Sequence, residues 1–178
     1  SLLPGFYRSG WIISFRDGCR RLVCATMLLS IPSHEVSTRT MNIYFSCSIT
    51  GGRDDQPVYA AIVEALLADG HEVPTAILAS PEVLDLETVV EAGDVYQRDV
   101  AWVQGCDAVV AEVSPPSHGV GYEIALALIL GKPVLCCYRT GQPVSKMILG
   151  NNHPRLLIAS YEDVNQVVTL VCDFVRGL

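Results

Sequence analysis

From Met41 onward, apolar positions fall into short β-branched and aromatic runs that alternate with stretches of helical spacing. "NIYFSCSI", residues 42–49, is a strand-like run that stops at Gly51 and Gly52. The apolar residues that follow, Tyr59, Ile62, Val63, Leu66 and Leu67, recur at the spacing of a single helix face, and Asp69-Gly70 closes that helix. "HEVPTAIL" predicts a second short strand, and the polar, Glu-rich segment 80–93 predicts a helix and a mobile loop. A helix over 95–104 precedes the buried strand "DAVVAEV", and another helix follows at Glu123. "KPVLCCY" is the next strand, and "RLLIAS" leads into a closing helix over 162–175. No internal repeat is visible.

Strands that alternate with helices imply a parallel sheet covered on both faces, because each crossover between parallel strands carries its helix to one side. The expected fold is therefore α/β. It is an open, doubly wound parallel sheet of the flavodoxin-like or Rossmann-like kind, with about five strands and helices on both faces. Such sheets bind ligands beyond the carboxyl ends of their strands. Two chemically loaded loops fall there, "SCSITGGRDD" after the first strand and "VSPPSHGVGYE" after "DAVVAEV".

Composition adds constraints. The chain has 178 residues, half of them hydrophobic, enough for one domain with a sizeable core. The formal charge of -7 argues against a nucleic-acid polymer or an anionic membrane as the main partner, since both need a basic face. That charge is unevenly placed. Residues 1–40 hold five Arg, no Lys and two acids, a balance of +3, which leaves -10 on residues 41–178. The first segment reads as a leader, disordered or a non-native extension. Upstream sequence preceding a start at Met41 is the favoured origin and a mitochondrial transit peptide the alternative. Its run "RLVCATMLLSI" is too short to cross a bilayer. Seven cysteines without CxxC spacing suggest a reducing compartment, cytoplasmic and nuclear rather than secreted, and mitochondrial only if the leader is a transit peptide. The four scattered histidines form no metal signature, so no metal is expected.

The first loop lacks both GxGxxG and the Walker lysine pattern. Ser48, Ile49, Thr50, Gly51, Gly52 and Arg53 nevertheless place hydroxyls, approachable N–H groups and a cation just before a helix, a setting that suits one phosphate group. A Gly-Gly turn needed only for chain reversal is the alternative. In the second loop, Gly119 and Gly121 let backbone approach a ligand and Ser117 offers a hydroxyl. Glu123 is placed in the first turn of the following helix, where the helix dipole favours its ionised form. A routine helix-starting acid would look the same. Asp99 lies among the apolar positions of the preceding helix, which a solvated face explains poorly. Two carboxylates near one ligand suggest glycosyl chemistry.

"IYFSCSITGGRDD", "YQRDVAWVQGCDAVVAEVSPPSHGVGYEIALAL", "GKPVLCCYR" and "SKMILG" resemble, in order and spacing, the 2'-deoxynucleoside 5'-monophosphate N-glycosidases of the nucleoside 2-deoxyribosyltransferase superfamily. The resemblance runs from Met41 to about Tyr161. It implies hydrolysis of deoxynucleoside monophosphates without a cofactor, with Glu123 as nucleophile at C1', Asp99 as its partner carboxylate and Tyr44 orienting nucleophile and sugar. It implies a phosphate pocket of Ser48, Gly51, Gly52, Arg53 and Ser117, and a homodimer in which Ser145 and Met147 reach the neighbouring site. The family usually has Gly at the position of Cys47 and Arg at that of Thr50, so Cys47 is expected to add bulk beside the phosphate loop. A deoxyribosyltransferase that passes the sugar to another base and a non-catalytic nucleotide-binding module are the alternatives. A phosphoribohydrolase would carry PGGxGTxxE, which this chain lacks.

Overall fold

The structure, a computed structural model, describes residues 39–49, 54–80, 83 and 90–178. The leader up to residue 38, Thr50, Gly51, Gly52 and Arg53, and most of the expected helix and loop over 80–93 lie outside the described residues.

The β-branched and aromatic runs form four parallel strands, β1 (Ile43–Ser46), β2 (Ala108–Glu112), β3 (Val134–Arg139) and β4 (Leu156–Tyr161), side by side in that order. The helices are α1 (Gln56–Ala68), α2 (Ala92–Gly105), α3 (His118–Ile129), the single turn α4 (Lys146–Leu149) and α5 (Val164–Arg176).

The sheet separates two apolar layers, as strand alternation requires. Ile43, Phe45, Ala108, Val110, Leu135 and Cys137 pack beneath α1 and α5. Tyr44, Val109, Ala111, Val134 and Cys136 face α2 and α3. Helices thus lie on both faces, the expected doubly wound arrangement.

The described sheet has four strands rather than about five. "HEVPTAIL" contributes one bridge, Asn42 to Glu72, and then winds into a short 3-10 turn, Ala76–Ala79. Two features explain this. Pro74 has no N–H for a ladder, and the Thr75 hydroxyl accepts the Phe45 N–H at 2.9 Å where a strand carbonyl would otherwise do so. The Ile43 N–H still bonds Glu72 O at 2.8 Å, which puts this segment on the edge of β1 opposite to β2. The chain therefore leaves β1 to one side and returns on the other. The opening between β1 and β2 at their carboxyl ends is the place where such folds bind ligands.

Candidate active site

Alternation along β1 turns Tyr44 and Ser46 toward α3. The Ser46 hydroxyl donates to Glu123 Oε2 at 2.5 Å. The Tyr44 side chain is fully buried beside the same carboxylate, and among the described residues its hydroxyl has no hydrogen bond of ordinary geometry. Burial, followed by the charges of Glu123 and Asp99, keeps that hydroxyl protonated.

Glu123 departs from the sequence expectation in position and in electrostatics. It occupies the second turn of α3, whose first turn carries no acid, because the helix begins at His118 within the expected loop. The dipole effect fades beyond the first turn. Burial pushes the Glu123 carboxyl up from its ordinary value, the Ser46 and Tyr44 hydroxyls pull it partly back, and Asp99 adds to the rise. Hydroxyl donors, not the helix start, therefore support its charge.

Asp99 projects from α2, with its side chain 20% exposed, and accepts from Arg98 Nε at 2.9 Å. The Arg98 guanidinium lies 4.9 Å over the Trp102 ring. Asp99 and Glu123 line one cavity of about 250 Å³, with Gly119, Tyr96 and Tyr122 among its walls. The two tyrosine hydroxyls stand 3.3 Å apart at its exposed side. A Cβ at Gly119 would lie 3.9 Å from both Glu123 Oε1 and Ser117 Oγ, so this glycine keeps open the space over the carboxylate. Gly121 faces open space, and among the described residues no close approach requires a glycine there.

Of the residues expected to meet the phosphate, Ser48 is fully buried and the neighbouring Ile49 packs partly against the layer beneath α1. Cys47 is 5% exposed in the layer beneath α1, and its thiol donates to Leu78 O at 3.8 Å. Ser117 caps α3, accepting from the Val120 N–H at 3.5 Å. Ser145 caps α4, and Met147 is 83% exposed. Both line a separate groove of about 480 Å³ with Ser117, Gly121 and Ala125, along a different face of α3 from Asp99 and Glu123. Within one chain, therefore, Tyr44, Asp99 and Glu123 come together, whereas Ser145 and Met147 do not join them. Ser46 was not among the expected site residues. Its period-two relation to Tyr44 on the strand was the available signal.

Residues 43–170 match the profile of the family described as nucleoside 2-deoxyribosyltransferase. A Methanosarcina mazei protein named "Putative 2'-deoxynucleoside 5'-phosphate N-hydrolase 1" is 37% identical over 163 residues, 92% of this chain and 98% of its own length. The 5-hydroxymethyl-dUMP N-hydrolase of Rattus norvegicus is 45% identical over 113 residues, 61% of this chain and 69% of its own. Among solved structures, a CMP N-glycosidase of Clostridium botulinum superposes with a TM-score of 0.59 at 14% identity, covering 75% of this chain and 98% of its own, a likeness of fold.

Proposed function

The chain belongs to the nucleoside 2-deoxyribosyltransferase family, and from that premise we propose that it hydrolyses the N-glycosidic bond of 2'-deoxynucleoside 5'-monophosphates to free base and 2-deoxyribose 5-phosphate. One observation carries the reading. A partly buried carboxylate, Glu123, is held by Ser46 and flanked by Tyr44, and a second carboxylate, Asp99, lines the same cavity. The names of the two sequence relatives, both N-hydrolases of deoxynucleotides, support the same chemistry.

Breaking this bond builds positive charge on the sugar ring, which an adjacent anion stabilises. Ionised Glu123 attacks C1' as the base departs with the bonding electrons, and Asp99 gives its proton to the departing base. Asp99 then takes a proton from water, whose oxygen displaces Glu123 from C1' and regenerates the carboxylate. A deoxysugar has no electron-withdrawing 2'-hydroxyl to oppose the cation. In this reading Ser48, Gly51, Gly52, Arg53 and Ser117 receive the 5'-phosphate, and Tyr44 orients sugar and nucleophile.

The same reading includes a homodimer. The outer face of α3 is apolar, with Tyr122 52% and Ile129 83% exposed, and a helix covering one side of a sheet in a monomer should show a polar outer stripe. A second copy related by a two-fold axis would cover this face. Met147 beside it, 83% exposed, would then contact the partner's substrate together with Ser145.

The test is incubation with a panel of deoxynucleoside monophosphates and, separately, with deoxynucleosides plus a free acceptor base. Release of free base from monophosphates without exchange is expected. Efficient transfer of the sugar to the acceptor would establish the transferase instead.

A further inference from the structure

Glu112, the last residue of β2, is fully buried on the side of the sheet opposite to Glu123. Placing a carboxyl in such a site carries a heavy desolvation cost, and a well-packed apolar residue would usually give a more stable fold. The surroundings show what this one holds. Its oxygens receive the Ser114 N–H at 3.2 and 3.3 Å, the Ser114 hydroxyl, and the Tyr161 hydroxyl at 3.0 Å. The Ser114 Oγ in turn accepts the Arg139 N–H at 2.7 Å. The Arg139 guanidinium pairs with Asp55 at 2.5 Å and lies 5.6 Å from the centre of the Tyr161 ring.

These five residues come from four separate parts of the chain, and all lie at the carboxyl end of the sheet. Asp55 stands directly before α1, two positions after Arg53. Ser114 opens the loop that reaches Ser117 three positions later and then α3. Glu112 and Arg139 thus tie the start of the loop that leads to Ser117 to Asp55 at the head of α1, and Tyr161 anchors the network to β4.

We propose that Glu112 is a positioning residue for the phosphate subsite, acting through Ser114 and the Arg139–Asp55 pair to hold the loop that carries Ser117 in register with the start of α1. This inference rests on the monophosphate reading of the site. Neither Glu112 nor Tyr161 needs to touch the substrate. Their contribution is geometric, and loss of one contact should loosen the grip on phosphate while leaving Glu123, on the other face, in place.

The experiment compares wild type with Glu112→Gln, Ser114→Ala and Tyr161→Phe. Each is assayed on a deoxynucleoside monophosphate and on the matching unphosphorylated deoxynucleoside, with inorganic phosphate as a competing ligand and melting temperature as a control. Glu112→Gln and Ser114→Ala should raise KM for the monophosphate, and the inhibition constant of phosphate, by about tenfold, with a smaller rise for Tyr161→Phe. The kcat should stay within about threefold, and cleavage of the unphosphorylated substrate should be unchanged. Equal fractional losses on both substrates that track melting temperature, or an unchanged KM and phosphate inhibition constant, would overturn the proposal. If Glu112→Gln does not fold, the single-hydroxyl variants Ser114→Ala and Tyr161→Phe decide the matter alone. A wild type that cleaves no monophosphate removes the monophosphate reading and this inference together, whereas a wild type that cleaves normally beside unaffected variants removes only the inference.

Discussion

Ser46 and Glu123, 77 positions apart in the chain, meet through a 2.5 Å hydrogen bond donated by the serine hydroxyl. The bond joins the carboxyl end of β1 to the second turn of α3, the two elements that flank the opening between β1 and β2. It also acts against burial, which raises the Glu123 pKa, because a donor favours the charged form.

Ser46→Ala therefore has two linked effects. A hydrogen bond to a charged group contributes about 1.5–3 kcal/mol, so kcat should fall by about 10- to 100-fold. Removing the donor also raises the Glu123 pKa further. Since the nucleophile must be ionised, the acidic limb of the kcat/KM profile should move to higher pH. A pH–rate profile of the variant that superimposes on the wild type apart from scale would show that Ser46 does not support the charge of Glu123.

Glu123→Gln should reduce turnover by about a thousandfold or more, since the amide can neither attack C1' nor stabilise the cationic sugar. Its stability should change in the opposite direction. The folded carboxyl titrates above the ordinary 4.5, so the folded state binds more protons than the unfolded one in the window between those two values. Wild-type stability thus falls as pH rises through that window, and the penalty is complete only above the folded value. The variant should therefore melt higher than wild type above that window, and the difference should shrink as pH falls toward 4.5. Melting curves across that range check the sign.

The order of the strands and the longer helices was readable because continuous β-branched and aromatic runs alternate with helical segments; the single turn α4 was not expected, and one expected strand is reduced to a bridge. "HEVPTAIL" has the composition of a strand, yet Thr75 satisfies the Phe45 N–H with a side chain and Pro74 cannot donate, facts that depend on tertiary placement. Glu123 and Asp99 stood out by their positions in the chain and Tyr44 through resemblance, and the structure brings the three to one place. The reason first offered for Glu123, a helix dipole, failed because the helix begins five residues earlier, at His118. Glu112 was invisible as a hub. In sequence it is one polar residue at the end of an apolar strand; its partner Tyr161 comes from a distant segment, and Arg139 and Asp55 join the network only through Ser114.

Ser117→Gly separates the phosphate-binding role of Ser117 from its capping role. Serine at a helix N-cap can be replaced by glycine at a cost of only a few tenths of a kcal/mol, so α3 should persist. The capping bond here is long, 3.5 Å, which lowers the cost further. If the hydroxyl receives the 5'-phosphate, KM for monophosphates should rise by about tenfold while the unphosphorylated substrate is cleaved as before. Equal kinetics of wild type and variant on the monophosphate would assign Ser117 to capping alone.

Complementation between two defective chains tests the shared site of the proposed dimer. Ser145 and Met147 line a groove along a face of α3 other than the one that carries Glu123, so within one chain they do not border the cavity of Asp99 and Glu123. If they act on the partner's substrate, a Glu123→Gln chain still supplies an intact Ser145 and Met147, and a Ser145→Ala, Met147→Ala chain still supplies an intact Glu123. Each variant alone should be weak. After subunit exchange at equal amounts, half of the dimers should be mixed, each with one complete site, which returns roughly a quarter of wild-type specific activity. If both roles belonged to the same chain, every site would carry one defect or the other and mixing would return nothing. Sedimentation at the assay concentration supplies the second arm, since a monomer there would leave the apolar face of α3 uncovered and remove the dimer from the reading.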